Sequence, residues 1–529
     1  MGNQAVTFGS WNRAAAIGRL RERTTPWDLI VIGGGATGVG VALDAASRGL
    51  DVLLLEKSDF GKGTSSRSTK LVHGGVRYLR QGNITLVRDA LRERTLLRQN
   101  APHLVHDMPF LIPCENRWQR FFYGFGLKVY DRLATRNHFS ASYGVSAGEA
   151  TELVPALRQN RLRGGVIYHD GQFDDTRLLI NMGRTAHDRG ACLLNYMAVT
   201  DLTKGGDGTV AGVAVTDQES GETFQVPSRS VVNATGPFCD AIRKLDDADA
   251  AEMLSASQGV HLVLPRRLFP GDVAVIVPKT SDGRILFIIP WHDHVIIGTT
   301  DTPITEVSLE PIARAEEIRF LLETAGRYLS QTPTSDDVLS VFTGIRPLVK
   351  NDRSHRTASL SRDHVIRVST SGLITITGGK WTTVRKMAED CVDRVLVETG
   401  IEAQPCSTES IKLHGFTEQP AADAQRSFYG SDLPAIEQLE LESPWFAASL
   451  HETLSIRRSE VVWAVRHEMA RTVEDVLARR TRALFLNARA AMEMAPEVAR
   501  LMAEELDKDD AWRDEQIANF HAVAAHYLP

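Results

Sequence analysis

Cysteine is scarce in this sequence of 529 residues and is never paired by spacing. The five cysteines are scattered without a CxxC motif, at Cys114, Cys192, Cys239, Cys391 and Cys406. This gives no support for a disulfide framework or a zinc site, and it is typical of a reducing compartment. His292-Asp293-His294 resembles a metal-binding pattern, but it lies between two strand-like runs and lacks a third ligand. We expect a hairpin turn there and no bound metal.

Long apolar runs and a surplus of basic charge are also missing. No stretch approaches the roughly 18 apolar residues that a membrane-spanning helix needs, and the N-terminus lacks the apolar core of a signal peptide. The net charge is −6, so we expect no nucleic-acid partner, which would require a broad basic surplus. We expect a cytoplasmic protein, either free or peripherally associated with the cytoplasmic membrane.

The segment from Asp28 to Lys57 has the layout of a dinucleotide-binding unit. Leu29-Ile30-Val31-Ile32 is an apolar run typical of a buried parallel strand, and Gly33-x-Gly35-x-x-Gly38 follows at once. An alanine-rich helical stretch comes next, and a second apolar run ends in Glu56. The glycines permit a tight turn and let backbone N–H groups approach a pyrophosphate at the start of the helix.

Glu56 indicates which nucleotide this unit accepts. At the end of the second strand, a carboxylate can accept hydrogen bonds from the adenosine ribose hydroxyls. It disfavours NADP, whose ribose phosphate it would repel, while NAD and FAD both remain open. A second match, Gly206-x-Gly208-x-x-Ala211, has no following helix, and Asp207-Gly208 predicts a hairpin turn instead.

Three further segments favour FAD over NAD. The loop from Thr64 to Leu79 combines many hydroxyl side chains with Lys70 and His73, and such residues fit a loop folded along the ribityl chain and pyrophosphate of an extended flavin. The segments from Val231 to Pro237 and from Ile374 to Thr383 each predict a strand followed by a turn of small residues. Such a turn lets the backbone approach a cofactor.

At these residues the sequence resembles the family of FAD-dependent glycerol-3-phosphate dehydrogenases. The matching stretches are TSSRSTKLVHGGVRYL from Thr64, YHDGQFDDTRLL from Tyr168, NATGP from Asn233, IIPWHDHVIIGTTDTP from Ile288, TGIRPL from Thr343 and TGGKWTTVRKMAE from Thr377. They run in order from about residue 26 to residue 395. HGGVRYL, GIRPL and GGKWTT together are specific to this family rather than to flavoproteins generally.

The resemblance implies an α/β fold, FAD as the cofactor, and oxidation of sn-glycerol 3-phosphate to dihydroxyacetone phosphate with electrons passed to a quinone. The fold is a Rossmann-like FAD-binding domain of the glutathione-reductase and amino-acid-oxidase type, with an inserted antiparallel-sheet substrate domain and a C-terminal helical domain. We expect a leader at 1–25, a discontinuous FAD-binding domain over 26–395 and the helical domain over 400–529. The substrate domain takes up about 101–165 and 245–340. The amphipathic stretch from Ser459 to Arg482 contributes to the helical domain.

The resemblance and the glycine-rich turns assign the cofactor-binding residues. Most are glycines or carry hydroxyl groups. In chain order they are Gly33, Gly35, Ala36, Thr37, Gly38, Glu56, Lys57, Thr64, Ser65, Ser66, Ser68, Lys70, Leu71, His73, Gly74, Val199, Ala234, Thr235, Gly236, Gly344, Gly379, Lys380 and Thr382.

The expected substrate carries a doubly charged phosphate and a secondary alcohol, so its site needs cationic donors and a base. The resemblance places around it Arg77, Tyr78, Arg346, Arg362 and Lys380. Lys380 is expected beside the isoalloxazine, and His73, Arg346 and Lys380 are the expected catalytic residues. His73 is the candidate general base, with Lys380 or a bound water as alternatives.

The segment from Arg117 to Tyr130 mixes aromatic and basic residues. Such a segment can lie at a membrane interface, and a buried amphipathic helix is the alternative. Because the family passes electrons to a membrane quinone, both interpretations stay open. The expected partners are therefore glycerol 3-phosphate, a quinone and the membrane surface, and a homodimer is left open.

Three other functions are alternatives to the dehydrogenase. The nearest is a glycerol-3-phosphate oxidase, which returns electrons to oxygen and releases hydrogen peroxide. No extra segment of the kind often inserted in the oxidase cap is evident, which favours the dehydrogenase. An amine or amino-acid oxidase of similar fold and a flavin-binding sensor without turnover are the broader alternatives.

Overall fold

The computed structural model describes residues 11–75, 84–134, 140–278, 280, 283–350, 364–418 and 425–529. Its strands are β1 Leu29–Ile32, β2 Val52–Leu55, β3 Leu71–Val72, β4 Val105–Pro113, β5 Tyr143–Val145, β6 Gly165–Phe173, β7 Cys192–Leu194, β8 Met197–Lys204, β9 Val210–Asp217, β10 Thr223–Pro227, β11 Val231–Asn233, β12 Leu254–Pro265, β13 Ala274–Val277, β14 Leu286–Trp291, β15 His294–Gly298, β16 Thr302–Pro303, β17 Ser340–Val349, β18 His364–Val368, β19 Ile374–Gly378, β20 Ser449–His451 and β21 Leu454–Arg457. Its α-helices are α1 Arg13–Glu22, α2 Ala36–Ser47, α3 Ile84–Asn100, α4 Arg117–Ala134, α5 Ala147–Leu153, α6 Asp175–Asp188, α7 Cys239–Asp246, α8 Ala315–Tyr328, α9 Val384–Thr399, α10 Leu433–Glu442, α11 Arg458–His467, α12 Ala483–Leu486, α13 Ala488–Leu506 and α14 Asp510–Ala524.

The nucleotide-binding unit folds as predicted. β1 and β2 are fully buried and pair in parallel from Leu29↔Val52 to Ile32↔Leu55, and the predicted helix is α2. They belong to a sheet with the order β18-β19-β11-β1-β2-β7, in which β18 is antiparallel. The turns that follow β1, β2, β11 and β19 therefore meet at one edge of this sheet, where α/β folds bind their ligands.

A second, mostly antiparallel sheet forms the predicted substrate domain. Its order is β16-β12-β15-β14-β13-β4-β6-β3, with β17 on β12 and β5 on β6. The register of β12 and β17 places Ser257 opposite Arg346 and His261 opposite Phe342. Because β17 pairs with β12 as far as Val349, this sheet extends beyond residue 340, where we expected the FAD-binding domain to resume.

Two hairpin predictions are confirmed. β8 and β9 pair in an antiparallel manner around the glycine-rich turn at Asp207-Gly208, where Gly208 has a φ of +81°. β14 and β15 pair around His292-Asp293, and Trp291 lies opposite His294. Neither turn leads into a helix, which is why the second glycine pattern does not build a nucleotide site.

The N-terminal segment differs from the predicted loose leader. From residue 11 onward it is folded, with α1 beside β7, and Trp11 is only 2% exposed and stacks on Phe60 at 5.6 Å. Arg13 is buried, pairs with Asp217 at 2.5 Å and donates to the Asn195 carbonyl oxygen at 3.1 Å. Buried aromatic and charged contacts to residues far along the chain order this helix, and a local pattern does not reveal them.

The C-terminal domain is helical as predicted, with α10 to α14 and the small β20–β21 hairpin. The stretch from Ser459 to Arg482 is not one helix, because α11 ends at His467 and a π-helical turn follows at Asp475–Arg480. Within the described ranges, no helix is both long enough and apolar enough to cross a membrane.

Candidate active site

Gly33 and Gly38 form a turn that has no room for a side chain. A Cβ on Gly38 would overlap the carbonyl oxygen of Gly33. Gly33 has a φ of +109°, and a Cβ there would lie 2.8 Å from the carbonyl oxygen of Ala234. Gly35 is the N-cap of α2, and Ser65 Oγ accepts a hydrogen bond from Ala36 N at 2.9 Å. The start of this helix is thus a close-packed backbone cradle suited to phosphate groups.

Glu56 lies beside this cradle at the end of β2. Its carboxylate accepts hydrogen bonds from Gly34 N at 2.6 Å and Ser58 N at 2.8 Å. The carbonyl oxygen of Glu56 accepts from Met197 N at 2.8 Å, which brings β8 and Val199 next to the end of β2. The next residue, Lys57, is exposed, and its ammonium lies 5.0 Å from the centre of the Phe238 ring.

The turn at Thr64–Ser66 joins three segments that lie far apart in the sequence. Thr64 Oγ1 donates to the carbonyl oxygen of Ile345 at 2.6 Å, and Trp381 Nε1 donates to that of Ser65 at 3.0 Å. A Cβ on Gly344 would lie 2.8 Å from the carbonyl oxygen of Arg67. The predicted flavin loop therefore packs directly against the GIRPL strand and the GGKWTT turn.

The small-residue turn after β11 closes another side of the cradle. Asn233 Oδ1 accepts from Thr235 Oγ1 at 2.7 Å, and Asn233 Nδ2 donates to the carbonyl oxygen of Cys239 at 2.9 Å. Gly236 has a φ of +56°. This turn brings the backbone of Ala234 against Gly33, so two predicted cofactor segments are in direct contact.

His73 and Lys380 lie on adjoining turns. His73 N donates to Thr382 Oγ1 at 3.1 Å, so the loop that carries His73 rests on the turn that carries Lys380. Gly379 has a φ of +74°, and a Cβ there would collide with Met387. This hydrogen bond joins the two turns that carry the predicted catalytic residues, although the bonded residues are 309 positions apart in the sequence.

Arg346 is fixed by three oxygen atoms of the loop after β15. Its Nη1 donates to Thr300 O and to Asp301 Oδ1, both at 3.1 Å, and its Nη2 donates to Thr299 Oγ1 at 3.1 Å. A Cβ on Gly259 would overlap Nη2, so the guanidinium lies against bare backbone. The side chain remains 25% exposed. A rigid and partly exposed guanidinium of this kind suits recognition of an anionic ligand.

His261 is a site residue that the sequence analysis missed. Its Nε2 lies 2.9 Å from Thr69 Oγ1, and its ring stacks on Phe342 at 4.7 Å. Burial, with smaller contributions from Lys70 and Arg346, lowers the pKa of His261 well below its ordinary value, so the ring is neutral near pH 7. The available signal was a polar residue that interrupts the apolar run of β12.

Comparisons with known proteins agree with this geometry. Residues 28–385 match the family described as FAD dependent oxidoreductase, and residues 370–513 match the C-terminal domain of alpha-glycerophosphate oxidase. The mitochondrial glycerol-3-phosphate dehydrogenase of Homo sapiens is 40% identical over 94% of this chain and 73% of its own length. The X-ray structure of glycerol-3-phosphate dehydrogenase from Bacillus halodurans complexed with FAD shares 32% identity with a TM-score of 0.80, covering 98% of this chain and 97% of that one.

The chain belongs to the FAD-dependent glycerol-3-phosphate dehydrogenase family. The L-alpha-glycerophosphate oxidase of Mycoplasma pneumoniae, with FAD bound, shares the fold at 18% identity and a TM-score of 0.56, covering 72% of this chain and 97% of that one. Membership of the family confirms the resemblance, the fold class and the cofactor predicted from the sequence.

The residues present fit the FAD on which this family depends. The glycine turn and the start of α2 would hold a pyrophosphate, and Glu56, at the end of β2, would hold the adenosine ribose. The backbone of Ala234 lies against Gly33, and Gly344 lies against the backbone of Arg67, just after the Thr64–Ser66 turn. We keep these assignments as predictions for the individual residues.

Lys70 has a different environment from the one expected of a cofactor ligand. Its side chain is 0% exposed, and its Nζ lies 2.5 Å from Asp175 Oδ2 and 2.7 Å from the carbonyl oxygen of Ser66. The rings of Trp291, Phe342 and Phe485 surround the ammonium at 5.1 to 5.5 Å. The ammonium thus points into the protein, and any contribution to the cofactor site must come from the main chain of Lys70.

The other predicted residues lie in or near this loop, or lie outside the described residues. Ser68 donates to Asp175 through both N and Oγ, and Leu71 pairs with Gln172 in the substrate sheet. Gly74 leaves no room for a Cβ beside Leu91. The predicted substrate residues Arg77, Tyr78 and Arg362 lie outside the described residues.

Proposed function

We propose that this chain oxidises sn-glycerol 3-phosphate to dihydroxyacetone phosphate. Bound FAD supplies the acceptor for the hydride that leaves the carbon bearing the secondary hydroxyl. The observation that carries the proposal is Arg346, a rigid and partly exposed guanidinium on a strand whose neighbouring residues contact the predicted flavin loop. Such a group pairs with a phosphate or with the oxygen on which negative charge develops.

His73 is proposed as the base that removes the hydroxyl proton. Its backbone N–H donates to Thr382, two residues after Lys380, and an ordinary imidazole is suited to this task near neutral pH. His261 is poorly suited, because burial keeps its pKa far too low for it to retain a proton. We assign His261 to orienting Thr69 and the adjoining loop through its 2.9 Å contact. Lys380 remains the alternative base.

Arg77, Tyr78 and Arg362 are proposed as further substrate ligands, on the family resemblance of their motifs alone. With Arg346 and Lys380 they would place several positive charges around a dianionic phosphate. The substrate would thus be held by its phosphate while the hydroxyl carbon faces the flavin.

The proposed electron acceptor is a membrane quinone, reached by peripheral binding at the cytoplasmic face of a membrane through α4. Four aromatic side chains of this helix, spaced to share one face, are between 52% and 71% exposed: Trp118, Phe121, Phe122 and Phe125. The opposite face is buried through Leu127 and Tyr130. Arg117, Arg120, Lys128 and Arg132 are exposed along the same helix. Aromatic groups with flanking cations are typical of helices that lie in the interface of an anionic membrane.

Anaerobic mixing of the FAD-bound protein with glycerol 3-phosphate tests the proposed reaction. We expect the yellow flavin to bleach, and dihydroxyacetone phosphate to appear in equal amount. Glycerol, which lacks the phosphate, and glycine, an amino-acid oxidase substrate, are the matched controls and should leave the flavin oxidised. A flavin that stays yellow with glycerol 3-phosphate would contradict the proposal.

Reoxidation distinguishes the dehydrogenase from the oxidase. After bleaching, we expect a quinone analogue to restore the yellow flavin much faster than dissolved oxygen does. Rapid reoxidation by oxygen with stoichiometric hydrogen peroxide would assign the chain to the oxidase reaction instead.

A further inference from the structure

A cluster of buried charges lies between the flavin loop and the C-terminal domain. Lys70 and Asp175 have fully buried side chains, and Arg482, from the C-terminal domain, is 2% exposed. Asp174, the N-cap of α6, is 5% exposed and lies 3.9 Å from Arg482 Nε. Two carboxylates and two cationic side chains are thus buried beside the loop that we assign to the cofactor.

Arg482 contacts the loop itself. Its Nη2 donates to the carbonyl oxygen of Ser66 at 2.8 Å and to Asp175 Oδ1 at 3.2 Å, and its Nη1 donates to Thr176 Oγ1 at 2.9 Å. The backbone of Arg482 has a φ of +65°, a conformation that side-chain-bearing residues adopt only when their surroundings impose it. The guanidinium packs 4.1 Å from the centre of the Phe485 ring.

Asp175 links Arg482 to the other residues of the loop. Its Oδ2 accepts from Ser68 N at 3.1 Å, Ser68 Oγ at 2.7 Å and Lys70 Nζ at 2.5 Å. Arg482 and Asp175 therefore fix three positions of the loop, at Ser66, Ser68 and Lys70. The preceding residue, Ser65, contacts the start of α2 through Oγ and the GGKWTT turn through its carbonyl oxygen.

We propose that Arg482 is a positioning residue for the FAD site, and that the C-terminal domain thereby completes this site. It acts through Ser66 and Asp175. Removing its guanidinium takes away one of the two buried donors to the Ser66 carbonyl oxygen, the other being Lys70 Nζ, and one donor to Asp175 Oδ1. The loop then loses the contact that holds it against the C-terminal domain. The inference rests on the proposed function only in assigning this loop to FAD.

A second contact of the same domain supports a role in shaping the loop. Arg480 forms a paired contact with Asp59, at 2.7 and 2.8 Å, where both side chains are fully buried. Arg479 also donates to this carboxylate. Asp59 lies between Glu56 and the Thr64–Ser66 turn. The C-terminal domain thus contacts the segment between Glu56 and Lys70 near both of its ends.

The test compares Arg482→Met and Arg482→Lys with a matched control, Arg426→Met. Arg426 is also buried in the C-terminal domain, but it pairs with Glu440 of the same domain at 2.6 Å. For each apoprotein we would measure the thermal unfolding midpoint and then titrate with FAD to obtain the dissociation constant. The visible spectrum of the bound flavin reports its surroundings independently of turnover.

We expect Arg482→Met to weaken FAD binding by about 10- to 100-fold, the same loss as when the hydrogen-bond partner of a metal ligand is removed. It should also shift the flavin spectrum. Arg482→Lys should recover part of the affinity, since an ammonium can still pair with Asp175. Arg426→Met should lower the unfolding midpoint and leave FAD affinity unchanged.

Wild-type FAD affinity and spectrum in Arg482→Met, with only a lowered unfolding midpoint, would overturn the proposal. If Arg482→Met does not fold, Arg482→Gln takes its place, because its shorter, uncharged side chain cannot replace the guanidinium and wild-type affinity in that variant counts equally against the proposal. These titrations use no substrate. A failure of glycerol 3-phosphate to bleach the wild-type flavin would therefore contradict the proposed reaction without affecting this comparison.

Discussion

Arg346 and Asp301 form an ion pair, with 3.1 Å between Nη1 of the arginine and Oδ1 of the aspartate. Asp301 Oδ1 also accepts from Ser257 Oγ at 2.5 Å, and Ser257 lies opposite Arg346 in the pairing of β12 with β17. The pair is therefore anchored to the sheet through Arg346 on β17 and Ser257 on β12.

Replacing Arg346 by lysine should lower kcat/KM for glycerol 3-phosphate by about 100- to 1,000-fold, as expected when a donor to the transition state is lost. Lysine keeps the charge but cannot contact Thr299, Thr300 and Asp301 together. Steady-state kinetics with a quinone analogue measures the effect. Arg319→Lys, at an exposed position of α8, is the control. Activity within a few-fold of wild type in Arg346→Lys would exclude a role in substrate binding or catalysis.

Glu317 positions the loop that contacts Arg346, and its replacement by alanine should destabilise the protein by about 2–3 kcal/mol. Its carboxylate accepts from Thr300 Oγ1 at 2.9 Å and from Gln258 Nε2 at 2.6 Å, and it is only 4% exposed. In the variant, the buried donors Thr300 Oγ1 and Gln258 Nε2 would lose this acceptor. Denaturant unfolding compares it with Glu316→Ala, an exposed neighbour on the same turn. Equal stability of the two variants would refute this role.

Local sequence patterns were sufficient to predict the β1–α2–β2 unit and its glycine turn. Gly33, Gly35 and Gly38 lie between an apolar strand and a helix, and this spacing is enough to identify a short βαβ unit. The contacts of such a unit are made between residues that are close in the sequence. Glu56 could be placed for the same reason, at the end of the next strand. The hairpin at Asp207-Gly208 could be distinguished from a nucleotide-binding turn because no helix follows it.

Residues whose roles depend on distant partners could not be predicted. Lys70 looked like a cofactor ligand because its loop is polar, yet Asp175, 105 positions away, directs its ammonium into the core. His261 contacts Thr69 across 192 positions, and Arg482 contacts Ser66 across 416. Periodicity and motif spacing carry no information about such contacts, which arise only when separate sheets and domains pack together.

Gly38→Ala should bind FAD poorly or not at all. The added Cβ would overlap the carbonyl oxygen of Gly33, which is rigid backbone, so the turn must open at a cost of about 1–3 kcal/mol. We would measure the FAD content of the purified protein and the affinity of its apoprotein. Gly18→Ala is the control, since a Cβ there meets nothing within 4 Å. Normal FAD binding by Gly38→Ala would exclude this turn as the pyrophosphate site.

His414 should contribute stability that depends on pH. Burial opposes its protonation, but hydrogen bonds to Asp188 and Asp432 outweigh burial and raise its pKa from 6.5 to about 9. Since the folded-state pKa is raised, the stabilisation is complete below about pH 6.5 and is lost as pH rises through about 9.

His414→Gln isolates this effect from the other titrating groups. The gap between wild type and variant in unfolding free energy should be on the order of 3 kcal/mol at pH 6 and should close above about pH 9. Denaturant unfolding across this range measures it. A gap that stays constant with pH would show that His414 is not protonated in the folded protein.

Replacing Trp118, Phe121 and Phe125 by serine should release the protein from membranes. These side chains are 64% to 71% exposed on one face of α4, and each buried aromatic group contributes about 1.5–3 kcal/mol to membrane insertion. We expect the fraction bound to vesicles of anionic lipid to fall at least about tenfold. Bleaching of the flavin by glycerol 3-phosphate in solution should be unchanged, because α4 is not among the segments that form the cradle. The control replaces Val397 and Leu441, which are 75% and 78% exposed on other helices. Vesicle binding that is equal in the two variants would show that α4 is not the membrane contact.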